Sequence, residues 1–275
     1  IDSLMETMKT KTGYLSYSLK QMTGESTMVK NYPDSVKGVL DRGYANENGT
    51  PTLTDGAAKV PYFYSLFVRF DNHDNLIASD VQRLFQKNIV PKLFAYTVMD
   101  GKPMRTSIAL QYHEGIYVTV AAGDSTRIYE TEEDIKTFLR TQSDEVKNKY
   151  VTVENHVMIK DENLIDFNLK VRALLEVAQT TYQPNDGSGN GISGKLELND
   201  TNYRKAVTTE ILQNIYADGD LRAYLMHGVW ESVADHENSH TDRRFQQAAG
   251  QVGAYVVVGP VEPFYDTLKQ HNNVV

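Results

Sequence analysis

The sharpest chemical pattern in the chain is His236-Glu237-Asn238-Ser239-His240, a literal H-E-x-x-H. In zinc hydrolases this spacing puts two histidines on one helix face as metal ligands. The glutamate then acts as general base on the metal-bound water. Glu262 is the best third ligand on offer, set between Pro260 and Pro263. Three features oppose a zinc reading. Asn238-Ser239 is polar where a catalytic helix is apolar. Ser239 with Asp242 can cap a new helix and set the two histidines across a helix boundary. No H-x-x-G-x-x-H extension follows. The first expectation is therefore a polar corner between helices. The alternative is a zinc-dependent hydrolase with Glu237 as base and His236, His240 and Glu262 on the metal.

Other patterns are weaker. Asp218-Gly219-Asp220 starts like a calcium loop, but Leu225 stands where that loop needs a bidentate Glu; a helix break capped by Asp220 is expected instead. Asp71-Asn72-His73-Asp74-Asn75 reads as a turn with a helix cap. There is no G-x-S-x-G and no phosphate-binding G-x-x-x-x-G-K-[ST]. The 275 residues contain no cysteine, which excludes thiol nucleophiles, disulfides and Cys-ligated metals. A net charge of −8 argues against broad nucleic-acid binding, which depends on neutralising phosphate. No apolar run approaches a membrane span of ~18 residues. The start at Ile1, without Met, reads as a processed or truncated end. No cofactor is expected.

The elements around these residues are read from hydrophobic spacing. Leu4, Met5, Met8, Leu15, Leu19 and Met22 form a loose helical stripe interrupted at Gly13, and Pro33 opens a short helix. Residues 43–60 read as an extended connector. Tyr62 to Phe70 is apolar on both faces and reads as a central strand. A helix follows over Ile77–Ile89, kinked or ended by Pro91. Asp100-Gly101 marks a hairpin turn after Tyr96–Met99, and alternating runs at 108–112 and 116–120 complete a meander. Thr131 caps a helix carrying Ile135, Phe138 and Leu139. A second hairpin is expected from Val151–Ile159 and Ile165–Val171.

Residues 183–194 are Gly-rich and polar, in a loop spanning 183–199. Beyond it the spacing predicts helices over Tyr203–Ile215, Leu221–Val233 and Phe245–Val252. A buried strand at Tyr255–Val258 and a short helix from Pro263 follow. The fold class expected is α+β: a mostly antiparallel sheet, built as a meander plus a hairpin, with a helical C-terminal third. An N-terminal arm occupies 1–60, a sheet region 61–182 and a helical region 200–275.

Tyr14, Tyr17, Tyr32 and Tyr44, with Met5 and Met8, lie in an arm that offers little core of its own. Tyrosine suits interfaces because it brings large area, few rotors and a polar tip. The function expected is a non-enzymatic assembly subunit that docks on protein subunits through residues 1–60, with a phage virion protein as one example. Its location is otherwise open. A ligand- or peptide-binding module using the 183–194 loop is the remaining alternative.

Overall fold

The structure is a computed structural model. It describes residues 2–12, 14–22, 64–93, 96–99, 102–105, 113–124, 126–141, 150–179, 206–232, 236, 239 and 243–272. In chain order these form α1 (Asp2–Lys11), β1 (Tyr14–Met22), β2 (Tyr64–Phe70), α2 (His73–Ser79), α3 (Val81–Asn88) and α4 (Val90–Leu93). Next come β3 (Tyr96–Met99), β4 (Lys102–Arg105), β5 (Tyr117–Asp124), β6 (Ile128–Tyr129), α5 (Glu132–Thr141) and β7 (Val151–Lys160). A 3₁₀ turn (Asp161–Asn163) leads into α6 (Leu164–Gln179). The chain closes with β8 (Thr208–Asp218), β9 (Leu221–Trp230), α7 (Arg243–Gly253), β10 (Val256–Val261) and β11 (Phe264–Asn272).

Nine strands form one sheet in the order β2-β1-β11-β7-β9-β8-β5-β6, with β10 sharing an edge of β7 with β11. The pairings are antiparallel, so the α+β class holds. β3 and β4, which flank the expected turn, pair antiparallel but as a separate two-stranded ribbon; the turn residues themselves lie outside the described residues. The expected meander is therefore split, because β5 pairs with β8 in the main sheet.

Several expected helices are strands, and one expected strand is a helix. The helices predicted over 203–215 and 221–233 fall in β8 and β9, joined at Gly219 with φ +63°. Gly219-Asp220 is a two-residue hairpin turn of the kind that favours positive φ, not a helix break. Buried pairs such as Ile211-Leu212 and Tyr224-Leu225 lie on opposite faces of strands covered on both sides. That double burial imitates helical spacing. The C-terminal third is accordingly mostly strand, with α7 its long helix. In place of the short helix expected from Pro263 stands β11 (Phe264–Asn272), and β10 runs on through Gly259-Pro260. In the opposite sense, Ile165–Val171 alternates like a strand yet lies in α6. Phe167, Val171 and Leu175 recur at four-residue spacing and are buried, while Ile165 and Leu169 point to solvent.

The segment expected as an arm contributes to the body. β1 lies between β2 and β11. Leu4, Met5 and Met8 of α1 pack with Tyr17 against Leu66, Val68 and Phe70 of β2 and against α3. On the C-terminal side, Phe167, Val171 and Leu175 of α6 pack on Val157, Ile159, Ile211 and Tyr224, with Val252 of α7. Strand alternation sends all these sheet residues to one face, under helices. The opposite face carries Ser18, Lys20, Phe67, Arg69, Glu154, Glu210 and His227.

That second face is curled. Four strands separate β2 from β8, which in a flat sheet means about 24 Å at a spacing of ~4.8 Å. Yet Arg69 of β2 touches Glu210 of β8. Only strong curvature brings them together. It also explains why β2 is apolar on both faces although it ends the strand order: Phe67 points into the curl and Leu66 and Val68 point to helices.

Candidate functional site

β7 is the wall between two distinct environments. Its even residues Thr152, Glu154 and His156 face the curl, and its odd residues Val153, Asn155 and Val157 face the helices. Inside the curl, the Lys20 ammonium lies 3.1 Å from Glu154 Oε1 and 2.7 Å from His227 Nε2. It also sits over the ring of Phe67, 4.4 Å from its centroid. The Arg69 guanidinium donates to both carboxylate oxygens of Glu210, and Thr119 Oγ1 donates to the same group at 2.6 Å. Glu154, Lys20 and Glu210 are 1%, 3% and 4% exposed, so these are buried ion pairs.

Burial pushes the Lys20 ammonium below the usual lysine range, against the opposing pull of Glu154. Burial likewise works to raise Glu154, but the Lys20 charge and His156 outweigh it and hold the carboxyl below its usual range. The remaining hollow is about 20 Å³, room for on the order of one water. It is far too small for an organic substrate.

The helix-facing side is different. Between α6, α7 and the sheet lies a pocket of about 270 Å³. Leu174, Met226, Phe245, Ala249, Val252 and Val256 give it apolar walls, and Asn155 and Glu262 provide polar groups. Glu262 is 7% exposed and accepts a hydrogen bond from Asn155 Nδ2. That bond fixes the amide orientation. Asn155 Oδ1 is buried with no hydrogen-bond partner, an acceptor left for a donor group. The equivalent space between α1, α3 and β1–β2 is filled by Met5 and Met8.

The predicted site residues are distributed as follows. His236 is helical, 4% exposed, and lies edge-on between Trp230 and Phe264 with ring centroids 5.0 Å from each. It is built into an aromatic packing cluster. Glu237 and His240 lie outside the described residues, as do Tyr32, Tyr44 and the 183–194 loop. Glu262 joins the pocket instead. Among the described residues, no group of three or more His, Asp or Glu is arranged to hold a metal. Met5, Met8 and Tyr17 are buried against their own chain, at 1%, 0% and 6% exposure, so they cannot dock on a neighbour as they stand. Tyr14 pairs with Phe70 in the sheet. The Asp71–Asn75 segment holds the expected cap: Asn72 Oδ1 accepts from Asn75 N–H at 2.9 Å.

Spacing alone missed Lys20, Arg69, Glu154, Glu210 and His227. The available signal was a charge inside an otherwise apolar or small-residue strand, as in Val151-Thr152-Val153-Glu154.

Residues 120–268 match the CT0912-like, C-terminal domain family, which is more than half of the chain. The chain belongs to that family. Residues 1–75 match the ABM-like domain, so the stretch expected as an arm falls within a recognised domain. No curated relative matches the chain. Among solved structures, an anthrone oxidase-like protein aligns with 94% of this chain and 93% of its own, at 10% identity and TM-score 0.47. A candidate monooxygenase from Fusobacterium nucleatum subsp. nucleatum aligns over 95% of both chains at 10% identity and TM-score 0.43. Another from Lactobacillus acidophilus covers 94% of this chain and 97% of its own, at 10% identity and TM-score 0.41.

The ABM-like match overturns the expectation of a non-enzymatic virion subunit, and the buried Met5, Met8 and Tyr17 remove the residues on which it rested. Among the described residues no helix is long and apolar enough to cross a membrane.

Proposed function

We infer that this CT0912-like protein is a small-molecule oxidase that takes a compact, mainly apolar organic substrate between α6, α7 and the sheet. The single observation that carries this reading is the pocket of about 270 Å³ with apolar walls and a carboxylate held in place at its edge. Ligand sites typically combine such walls with a few fixed polar groups. The volume suits a molecule of roughly two or three fused rings, slightly below the drug-sized range. The ABM-like match supports an oxidase class.

Glu262 is assigned as the general base, and Asn155 as the residue that positions it. A carboxylate beside an apolar pocket can take a proton from an activated CH₂ or a phenolic OH, leaving an electron-rich anion. With dioxygen as oxidant, conversion of CH₂ to C=O is balanced when one oxygen atom enters the product and the other leaves as water. The protein's part is to orient the ring and move the proton.

Calorimetric titration with 1-naphthol tests the pocket. Saturable binding is expected for the unaltered protein. Leu174→Trp, which fills the pocket, is expected to weaken it at least tenfold while leaving the fold intact by circular dichroism. Equal binding by the two proteins would place the ligand elsewhere and remove the reading.

A further inference from the structure

The interior of the curl has a charge pattern that the pocket does not use. Its cations, Lys20 and Arg69, come from β1 and β2. Its anions, Glu154 and Glu210, come from β7 and β8. Residues of the ABM-like stretch thus hold residues of the C-terminal family domain across the fold, with two charges on each side. His227 of β9 stands between the two carboxylates: its Cα partners are Glu154 on one side and Glu210 on the other.

We propose that the Lys20–His227 contact is a pH-sensitive clasp that holds the two halves closed near neutrality and releases them when His227 gains a proton. At 2.7 Å, Lys20 Nζ and His227 Nε2 can share one proton but cannot each carry a full complement. With Lys20 charged and His227 neutral, Lys20 donates to the imidazole and to Glu154, and the buried group is electrically balanced. A second proton puts two cations in contact in a region where Lys20, Glu154 and Glu210 are each more than nine-tenths buried.

The groups facing His227 from its neighbours are Lys20 on β1, Arg69 on β2, Glu154 and His156 on β7, and Glu210 on β8. Both carboxylates already hold a cation, Glu154 through Lys20 and Glu210 through the Arg69 fork. A charged imidazole competes with these cations for the same carboxylates. Either exchange frees a side chain of β1 or β2 and loosens the closure of the curl. On β7, His156 is 45% exposed at its side chain and lies 3.7 Å from Glu154. His227, at 9% exposure, has much less access to solvent.

The reference value for a solvated imidazole, as in the open form, is about 6.5. The sign follows from linkage. If the open form binds one more proton than the closed form, closure is favoured above that value. Opening then rises by up to tenfold per pH unit below it.

Hydrogen exchange of the β1 and β11 amides, corrected for intrinsic rates, reads this opening in the full chain. Between pH 6.5 and 5.0 the open fraction is expected to rise at least tenfold. In His227→Gln, whose amide oxygen still accepts from Lys20 but cannot be protonated, the rise is expected to shrink to less than twofold. His156→Gln is expected to keep the rise. A flat profile in the unaltered protein overturns the proposal without reference to any variant. So does an equal rise in His227→Gln, or loss of the rise in His156→Gln instead.

Discussion

Lys20, Arg69, Glu154 and Glu210 are costly residues to bury, and their placement makes sense only as pairs. Removing one partner leaves an uncompensated charge, which typically costs about 3–5 kcal/mol, whereas replacing both by apolar groups is often neutral. Arg69→Met is therefore expected to lose about that much in urea unfolding, and Arg69→Met with Glu210→Leu to recover most of it. Recovery of less than about 1 kcal/mol would mean that the pair does more than neutralise itself. A further acid dependence comes from Glu154. Its carboxyl lies below the usual range in the folded state, so its contribution is present above the unfolded carboxylate pKa of about 4.3 and is lost as pH falls through the lower folded value. Lys20 acts in the same direction at the alkaline end of the scale. Its folded value is depressed, so its burial cost is relieved as pH rises from that value toward about 10.4. None of these pairs was visible in the sequence, because the partners are separated by 134 to 207 positions. His236-Glu237-Asn238-Ser239-His240 was visible because it is local, and its described histidine packs between two aromatic rings.

At the scale of elements, legibility followed the number of buried faces. β7, β5, the β3–β4 hairpin, α5 with its Thr131 cap and α7 were readable from spacing, since each has one clear apolar side or a specific turn signal. The Thr131 hydroxyl does accept from Asp134 N–H, at 3.2 Å. β8 and β9 were not readable, because apolar neighbours such as Ile211-Leu212 and Tyr224-Leu225 occupy both faces and erase alternation. β10 shows how a single residue shapes the pocket floor. Gly259 has φ +100°, and a Cβ there would lie 2.5 Å from the carbonyl oxygen of His156. Both the backbone conformation and the contact exclude a side chain. Gly259→Ala is expected to cost at least about 2 kcal/mol in urea unfolding, since the facing atom is backbone and cannot turn aside. A loss below about 0.5 kcal/mol would mean that β10 can shift freely against β7.

At the scale of the whole molecule, the described residues form a curled antiparallel main sheet with helices on its outer side. The interior of the curl and the helix-side pocket have opposite character. The inner one is polar and nearly full, and it joins the two matched domains. The outer one is apolar and open on the C-terminal side, while its N-terminal counterpart is filled by methionines. That asymmetry locates the proposed chemistry at Glu262 rather than at the denser cluster of charges. Oxygen uptake with 1-naphthol, the fused-ring phenol used to probe the pocket, tests this most directly. Saturable uptake of one O₂ per naphthol converted to quinone and water is expected, reduced at least tenfold in both Glu262→Gln and Leu174→Trp. Uptake no faster than in buffer alone, or undiminished in Glu262→Gln, would contradict it.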